Sequence, residues 1–254
     1  MLKVQELTKY FGRRIAVDRV EFEINPGEIV GYLGPNGAGK STTVKMLVGM
    51  LKPSRGQILL NGRPIQNDLE DFKMRIGYVP EEALLYSHLS GYEYLQLVGR
   101  LRGLNENEMI RKIDALLKLC LLSPYKHSPI VSYSKGMKQK IMMIAALLHN
   151  PEILILDEPF SGLDVSSVLV FRTLLKSLAA SGRTILFSSH ILEVIEKICD
   201  RVLIIHASRL IADDSVDHLR DLMHVPSLEE IFQQLVQQND YDKTANEILN
   251  VMQN

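Results

Sequence analysis

The run GPNGAGKST, Gly34 to Thr42, carries the sharpest chemistry in the chain. Its glycines let the backbone wrap around phosphate groups, and a helix opening at its end aims N–H groups at negative charge. Gly34, Pro35, Asn36, Gly37, Ala38 and Gly39 are therefore expected to cradle phosphates, with Thr42 completing the loop. Lys40 supplies a positive charge for the β- and γ-phosphates, and the Ser41 hydroxyl suits Mg2+. The run ILILDEPFSGLD places Asp157 and Glu158 at the end of an apolar strand. Beside a phosphate loop, Asp157 is expected to hold Mg2+, directly or through water, and Glu158 to polarise an attacking water. The run TILFSSH ends in His190, which could reach the γ-phosphate or orient that water. A further acidic pair, Glu81 and Glu82, follows the apolar IGYV, and its spacing alone does not say what it serves.

These groups must be delivered by particular elements. EIVGYL before the loop reads as a strand and TTVKMLVGML after it as a helix, the context a phosphate-binding loop requires. EILIL, TILF and RVLII read as strands separated by helical stretches such as VSSVLVFRTLLKSLAA. That alternation predicts a mainly parallel sheet with ligands at the carboxyl ends of its strands. Upstream, KVQEL, VEFEI and a hairpin around Asn61-Gly62 predict an antiparallel N-terminal β subdomain. Ser90 with Glu93, and Asn105 with Glu108, mark helix starts within an inserted helical block expected over residues 82–148. Ser134 reads as the N-cap of a helix running to Leu148, which offers its positive end to an anion. Ser227 with Glu230 starts another helix, and KTANEILNVM is expected to form a last short one.

Composition narrows the setting. A chain of 254 residues, 46% hydrophobic, can bury one large α/β core. Its net charge of −1 lacks the basic footprint of a nucleic-acid binder. Cys120 and Cys199 stand far apart and suggest no disulfide framework, so a reducing compartment is expected. The N-terminus lacks the apolar core of a signal peptide. The longest apolar run, Ile141 to Leu148, falls far short of the roughly 20 residues of a membrane-spanning helix.

The order of phosphate loop, helical block, YSKGMKQK, LILDEP, SGLD and SSH resembles the ATP-binding cassette of ABC transporters. The resemblance spans about residues 2–235 and implies a P-loop NTPase core, α/β in class, forming a single ATPase domain. Its expected parts are 1–81 (P-loop and β subdomain), 82–148 (helical subdomain with signature), 149–207 (return of the catalytic core) and 208–254 (C-terminal tail). By the same likeness Phe11 would stack on adenine, and Ser134 and Gly136 would form the signature that closes over the γ-phosphate of the opposite subunit. Asp164 would link the two sites, and His190 would be the switch histidine. Glu81 stands where the family places a glutamine, and it would take over the metal contact as a hard oxygen ligand. Tyr133, Lys135 and Met137 depart from the commonest signature; with SLEEIF they resemble the ABC-2 export branch of drug and antibiotic efflux systems.

The implied activity is hydrolysis of ATP with Mg2+, in a dimer of cassettes that are identical or different. That dimer would drive a separate integral-membrane permease, for export, from the cytoplasmic face. One competing expectation is a soluble ABC-type ATPase acting on nucleic acid or ribosomes; a single copy of each motif and an ordinary insertion argue against it. A nucleotide sensor without hydrolysis is the other, opposed by Glu158 and His190.

Overall fold

The computed structural model describes residues 1–189 and 191–236, together with Met252. Strands β1 (Leu2–Phe11) and β2 (Arg14–Ile24) pair antiparallel around a tight turn at Gly12. Their in-out alternation breaks at Glu6, whose φ of 46° accompanies a register shift between Val4 and Leu7. The chain continues through β3 (Ile29–Leu33), α1 (Lys40–Leu47), β4 (Arg55–Leu60) and β5 (Arg63–Pro64). Asn61 and Gly62 between the last two have φ of 50° and 78°, the left-handed pair that closes a tight hairpin.

Next come α2 (Leu69–Met74), β6 (Ile76–Val79), α3 (Gly91–Leu101), α4 (Glu106–Leu119) and α5 (Lys135–Leu147). The caps act as their residue types require: Ser90 and Glu93 form a reciprocal box, Asn105 accepts from two amides, and Ser134 accepts from the Met137 amide. The helical block begins at Gly91 rather than at residue 82. Residues 81–90 form bends, a turn and irregular chain, with Leu84 and Tyr86 exposed, because the reciprocal Ser90–Glu93 box sets the start of the helix at Gly91.

The remainder is β7 (Ile153–Asp157), α6 (Val165–Ala180), β8 (Thr184–Ser188), α7 (Leu192–Ile198), β9 (Arg201–His206), β10 (Arg209–Ser215), α8 (Val216–Met223) and α9 (Leu228–Val236). The helix expected at KTANEILNVM lies, apart from Met252, outside the described residues.

A four-stranded antiparallel sheet runs β2-β1-β4-β5, and a six-stranded sheet runs β10-β9-β3-β8-β7-β6. In the larger sheet only β10 is antiparallel to its neighbour. Its central strands are buried on both faces, which is why they read as continuous apolar runs. Val30, Tyr32, Ile153, Ile155, Leu203 and Ile205 face a core shared with the antiparallel sheet and α1. Ile29, Leu33, Leu154, Leu156, Val202 and Ile204 face the opposite way, into a core closed by α5 to α9. A third core joins α3, α4 and α5.

Candidate nucleotide site

Parallel register brings the chemistry to one edge. Tyr32 on β3 stands beside Ser188 on β8, Ser188 beside Asp157 on β7, and Val79 on β6 beside Leu156. The segments leaving these strands therefore open on the same side of the sheet, the side where ligands of such sheets bind. A cleft of about 810 Å³ lies there. Its walls include the phosphate loop, Asp157, Glu158, Glu81 and Phe11.

The loop's shape follows from its glycines. Gly37 has φ of 79° with open space around it, so its demand is conformational. Gly39, at φ 112°, is the N-cap of α1, and a side chain there would strike the carbonyl of Ala16. Lys40 Nζ donates to the carbonyls of Gly34 and Pro35, so the ammonium lies folded along the loop that holds it. Burial lowers the Lys40 pKa, opposed by the charges of Asp157, Glu158 and Glu81. Ala38 differs from its neighbours: its side chain is buried in the core, it does not line the cleft, and its N–H donates to the Pro35 carbonyl at 3.2 Å.

Asp157 is buried and accepts a hydrogen bond from Ser188 Oγ. Burial raises its carboxyl above the ordinary value; the Ser188 bond lowers it, Glu81 raises it, and Lys40 lowers it. Glu158 has φ of 50°, a left-handed conformation costly for a residue with a side chain. Its N–H donates to the Ser188 carbonyl at 3.1 Å and its carboxylate accepts from Ser189 Oγ at 3.3 Å. Such a held, strained acid at a cleft is characteristic of a functional position. Glu81 lines the cleft and Glu82 does not. Burial, helped by the charges of Asp157 and then Glu81, pushes the Tyr78 phenol up to about 12. Among the described residues no three His, Cys, Asp or Glu side chains converge as a metal cage. The oxygen donors Ser41, Glu81 and Asp157 nevertheless share the cleft, a set suited to Mg2+, which keeps few protein ligands.

The ABC transporter family model matches residues 17–161. The chain belongs to the ABC transporter family. An uncharacterized ABC transporter ATP-binding protein of Methanocaldococcus jannaschii is 42% identical over 210 residues, 83% of this chain and 76% of that protein. The Nod factor export ATP-binding protein I of Cupriavidus metallidurans is 35% identical, over 87% of this chain and 73% of that protein. The bacitracin transport ATP-binding protein of Bacillus licheniformis is 38% identical, over 87% and 71%. These relatives agree with the resemblance to the ABC-2 export branch. A solved ATP-binding subunit of an ABC transporter superposes with a TM-score of 0.87 at 35% identity, covering 92% of this chain and 99% of that one. An ATP-binding cassette solved as a dimer with ADP and Pi gives 0.77 at 25% identity, covering 85% and 98%.

In this ABC transporter chain the other family positions fall in two groups. Phe11 lines the cleft, 52% exposed, with Lys9 Nζ 5.4 Å from its ring centroid. Ser134, Gly136 and Asp164 do not line the cleft. Ser134 caps α5, and a side chain at Gly136 would stand 2.6 Å from the Gly162 carbonyl oxygen. Gln139 on the same helix donates to the Pro159 carbonyl at 2.9 Å, so α5 is clamped to the segment after Glu158. Asp164 caps α6 through the Ser167 amide, and the hydrogen bonds from the Ser167 hydroxyl and then that amide, aided by Lys140, hold its carboxyl down to about 2. His190 lies outside the described residues.

Arg14, Ala16, Leu192, Ser189 and Phe232 also line the cleft and escaped the sequence reading. Phe232 belongs to the SLEEIF run, but nothing in that run says where α9 docks.

Proposed function

We propose that this chain is the ATP-hydrolysing subunit of an ABC transporter, pairing with a second cassette around two Mg-ATP to drive a separate membrane permease. The observation that carries this reading is the meeting of the phosphate loop, Asp157 and Glu158 in one cleft. Lys40 would leave the Gly34 and Pro35 carbonyls for the β- and γ-phosphates, an exchange that keeps its donors satisfied. Glu158 would accept a proton from the attacking water, its carboxylate steadied by Ser189. Phe11 would offer its ring to the adenine face. Ser41, Asp157 and Glu81 would hold Mg2+, which supplies charge neutralisation on the transferring phosphoryl group when bound.

Ser134 and Gly136 lie outside their own chain's cleft, which supports a partner supplying them across the interface. A similar cassette solved as a dimer with ADP and Pi supports the same arrangement. Because that nucleotide would touch both subunits only when closed, it would favour closure by its differential affinity. Among the described residues no helix is long and apolar enough to cross a membrane, so passage through the bilayer is assigned to the permease. Likeness to a Nod factor export protein supports export, and the dimer would act from the cytoplasmic face.

The test is phosphate release and ATP binding by the wild type and by Lys40→Ala. The wild type should hydrolyse ATP, and the variant should lose binding with the loop's cation. Retained micromolar affinity in Lys40→Ala would overturn the phosphate-loop assignment.

A further inference from the structure

We propose that Tyr32 is a positioning residue for the phosphate loop, its phenol holding Thr43 so that Thr43 in turn fixes the carbonyl of Gly39. Its consequence for ATP rests on the function proposed above. Tyr32 and Thr43 are both fully buried. Tyr32 OH donates to Thr43 Oγ1 at 3.1 Å, and Thr43 Oγ1 donates to the Gly39 carbonyl at 3.0 Å. The same carbonyl accepts the Thr43 amide at 2.9 Å. Burial pushes the Tyr32 phenol up, so it stays a neutral donor.

The direction of this relay matters. A threonine hydroxyl can rotate and has one proton to give. With one lone pair of Thr43 taken by the phenol, its proton goes to Gly39. The carbonyl of Gly39 and the N–H of Lys40 belong to one trans peptide and point in opposite directions. Pinning that carbonyl along α1 therefore turns the Lys40 N–H the other way, out of the helix amino end and toward the cleft. Gly39 at φ 112° has no side chain to hold its peptide planes, so an external anchor has something to decide.

Tyr32 also stands on the row that sets the opposite wall. Ser188 is its register partner, and Ser188 donates to Asp157. The phosphate loop and the strand-end acid are thus both referenced to the same level of the sheet, one through Tyr32 and Thr43, the other through Ser188. Phenylalanine at position 32 would fill the same space and pack against Phe22, whose ring centroid is 6.2 Å away, without orienting Thr43.

The test uses the full chain carrying Tyr32→Phe, Thr43→Val, Thr43→Ser or the Phe/Val pair. In the nucleotide-free protein, hydrogen exchange at the Thr43 amide should quicken about fivefold in Tyr32→Phe and Thr43→Val, the equivalent of one hydrogen bond, and stay near wild type in Thr43→Ser. Mg-ATP should bind about fivefold more weakly to the first two variants and no more weakly still to the pair, with kcat at saturating ATP held within about twofold. If Tyr32→Phe lowers the melting temperature while exchange at Thr43 and ATP affinity stay unchanged, the phenol is packing only and the proposal is overturned. Independent, additive losses in the pair would overturn it as well. A wild type that binds no ATP would sink the proposed function, while the exchange measurement would still decide whether Tyr32 orders the loop.

Discussion

At the residue scale, the acidic pair after β6 shows how one position along a chain separates two fates. Glu81 faces the cleft and acts electrostatically on Asp157, Tyr78 and Lys40, whereas its neighbour Glu82 is exposed outside it. A carboxylate is a hard, charged ligand, and it should hold Mg2+ more firmly than the uncharged amide that the family resemblance leads one to expect there. Glu81→Gln should therefore remain an ATPase that needs more Mg2+ for half-maximal rate, while Glu82→Gln keeps the wild-type requirement. The measurement is ATPase rate against free Mg2+ at saturating ATP. A shift in Glu82→Gln alone would mean that the loop in solution is turned by one residue.

At the element scale, α5 joins the clamp behind Glu158 to the start of β6. Near its amino end, the approach of Gly136 to the Gly162 carbonyl leaves no room for a methyl group. Gly136→Ala should lower the unfolding free energy of the nucleotide-free chain by about 1–3 kcal/mol, as overpacking does. A residue needed only across a dimer interface would leave the melting temperature alone, so calorimetry without nucleotide separates the two. Past its carboxyl end, His149 Nε2 lies 3.0 Å from the Ile76 carbonyl, and buried Nδ1 has no hydrogen-bond partner among the described residues. Burial, helped by nearby Arg102, pushes this imidazole down to about 4. Between that value and the ordinary 6.5 the unfolded chain binds the proton that the folded chain refuses. Stability should accordingly fall as pH drops from about 6.5 to 4, by roughly 1–3 kcal/mol from this group. Denaturant titrations across that window should give a flatter profile for His149→Gln, and equal profiles would remove His149 as the cause.

At the scale of the whole molecule, the site is built from distant parts of the chain. Phe11 comes from the antiparallel sheet, Lys40 from α1, Glu158 from the end of β7 and Phe232 from α9, all lining one cleft. Ser134 and Gly136 lie outside it, so the proposed sandwich predicts that a nucleotide trapped before hydrolysis joins two chains. Glu158→Gln should bind ATP, fail to turn it over, and elute from size exclusion with Mg-ATP at twice the apparent mass. A monomeric elution with ATP bound would rule out the sandwich of identical chains.

Local chemistry was readable from residue order alone, because it is written in residue types at short range. A phosphate loop is contiguous, and so are the caps at Ser90, Asn105 and Ser134 and the turn at Asn61-Gly62; each was legible before any fold was known. The central strands were legible too, since burial on both faces demands unbroken apolar runs. Short or half-polar elements were not: α2 and α7 span too few residues for a helical period to emerge, and β10 alternates only weakly. What meets across the sheet was settled by packing in three dimensions. That packing turned Ala38 into the core, brought Leu192 and Phe232 to the cleft, and bound Tyr32 to Thr43 beneath the loop. Those outcomes depend on strand order and docking angle, which are set by the fit of many buried side chains at once and leave no mark at any one position.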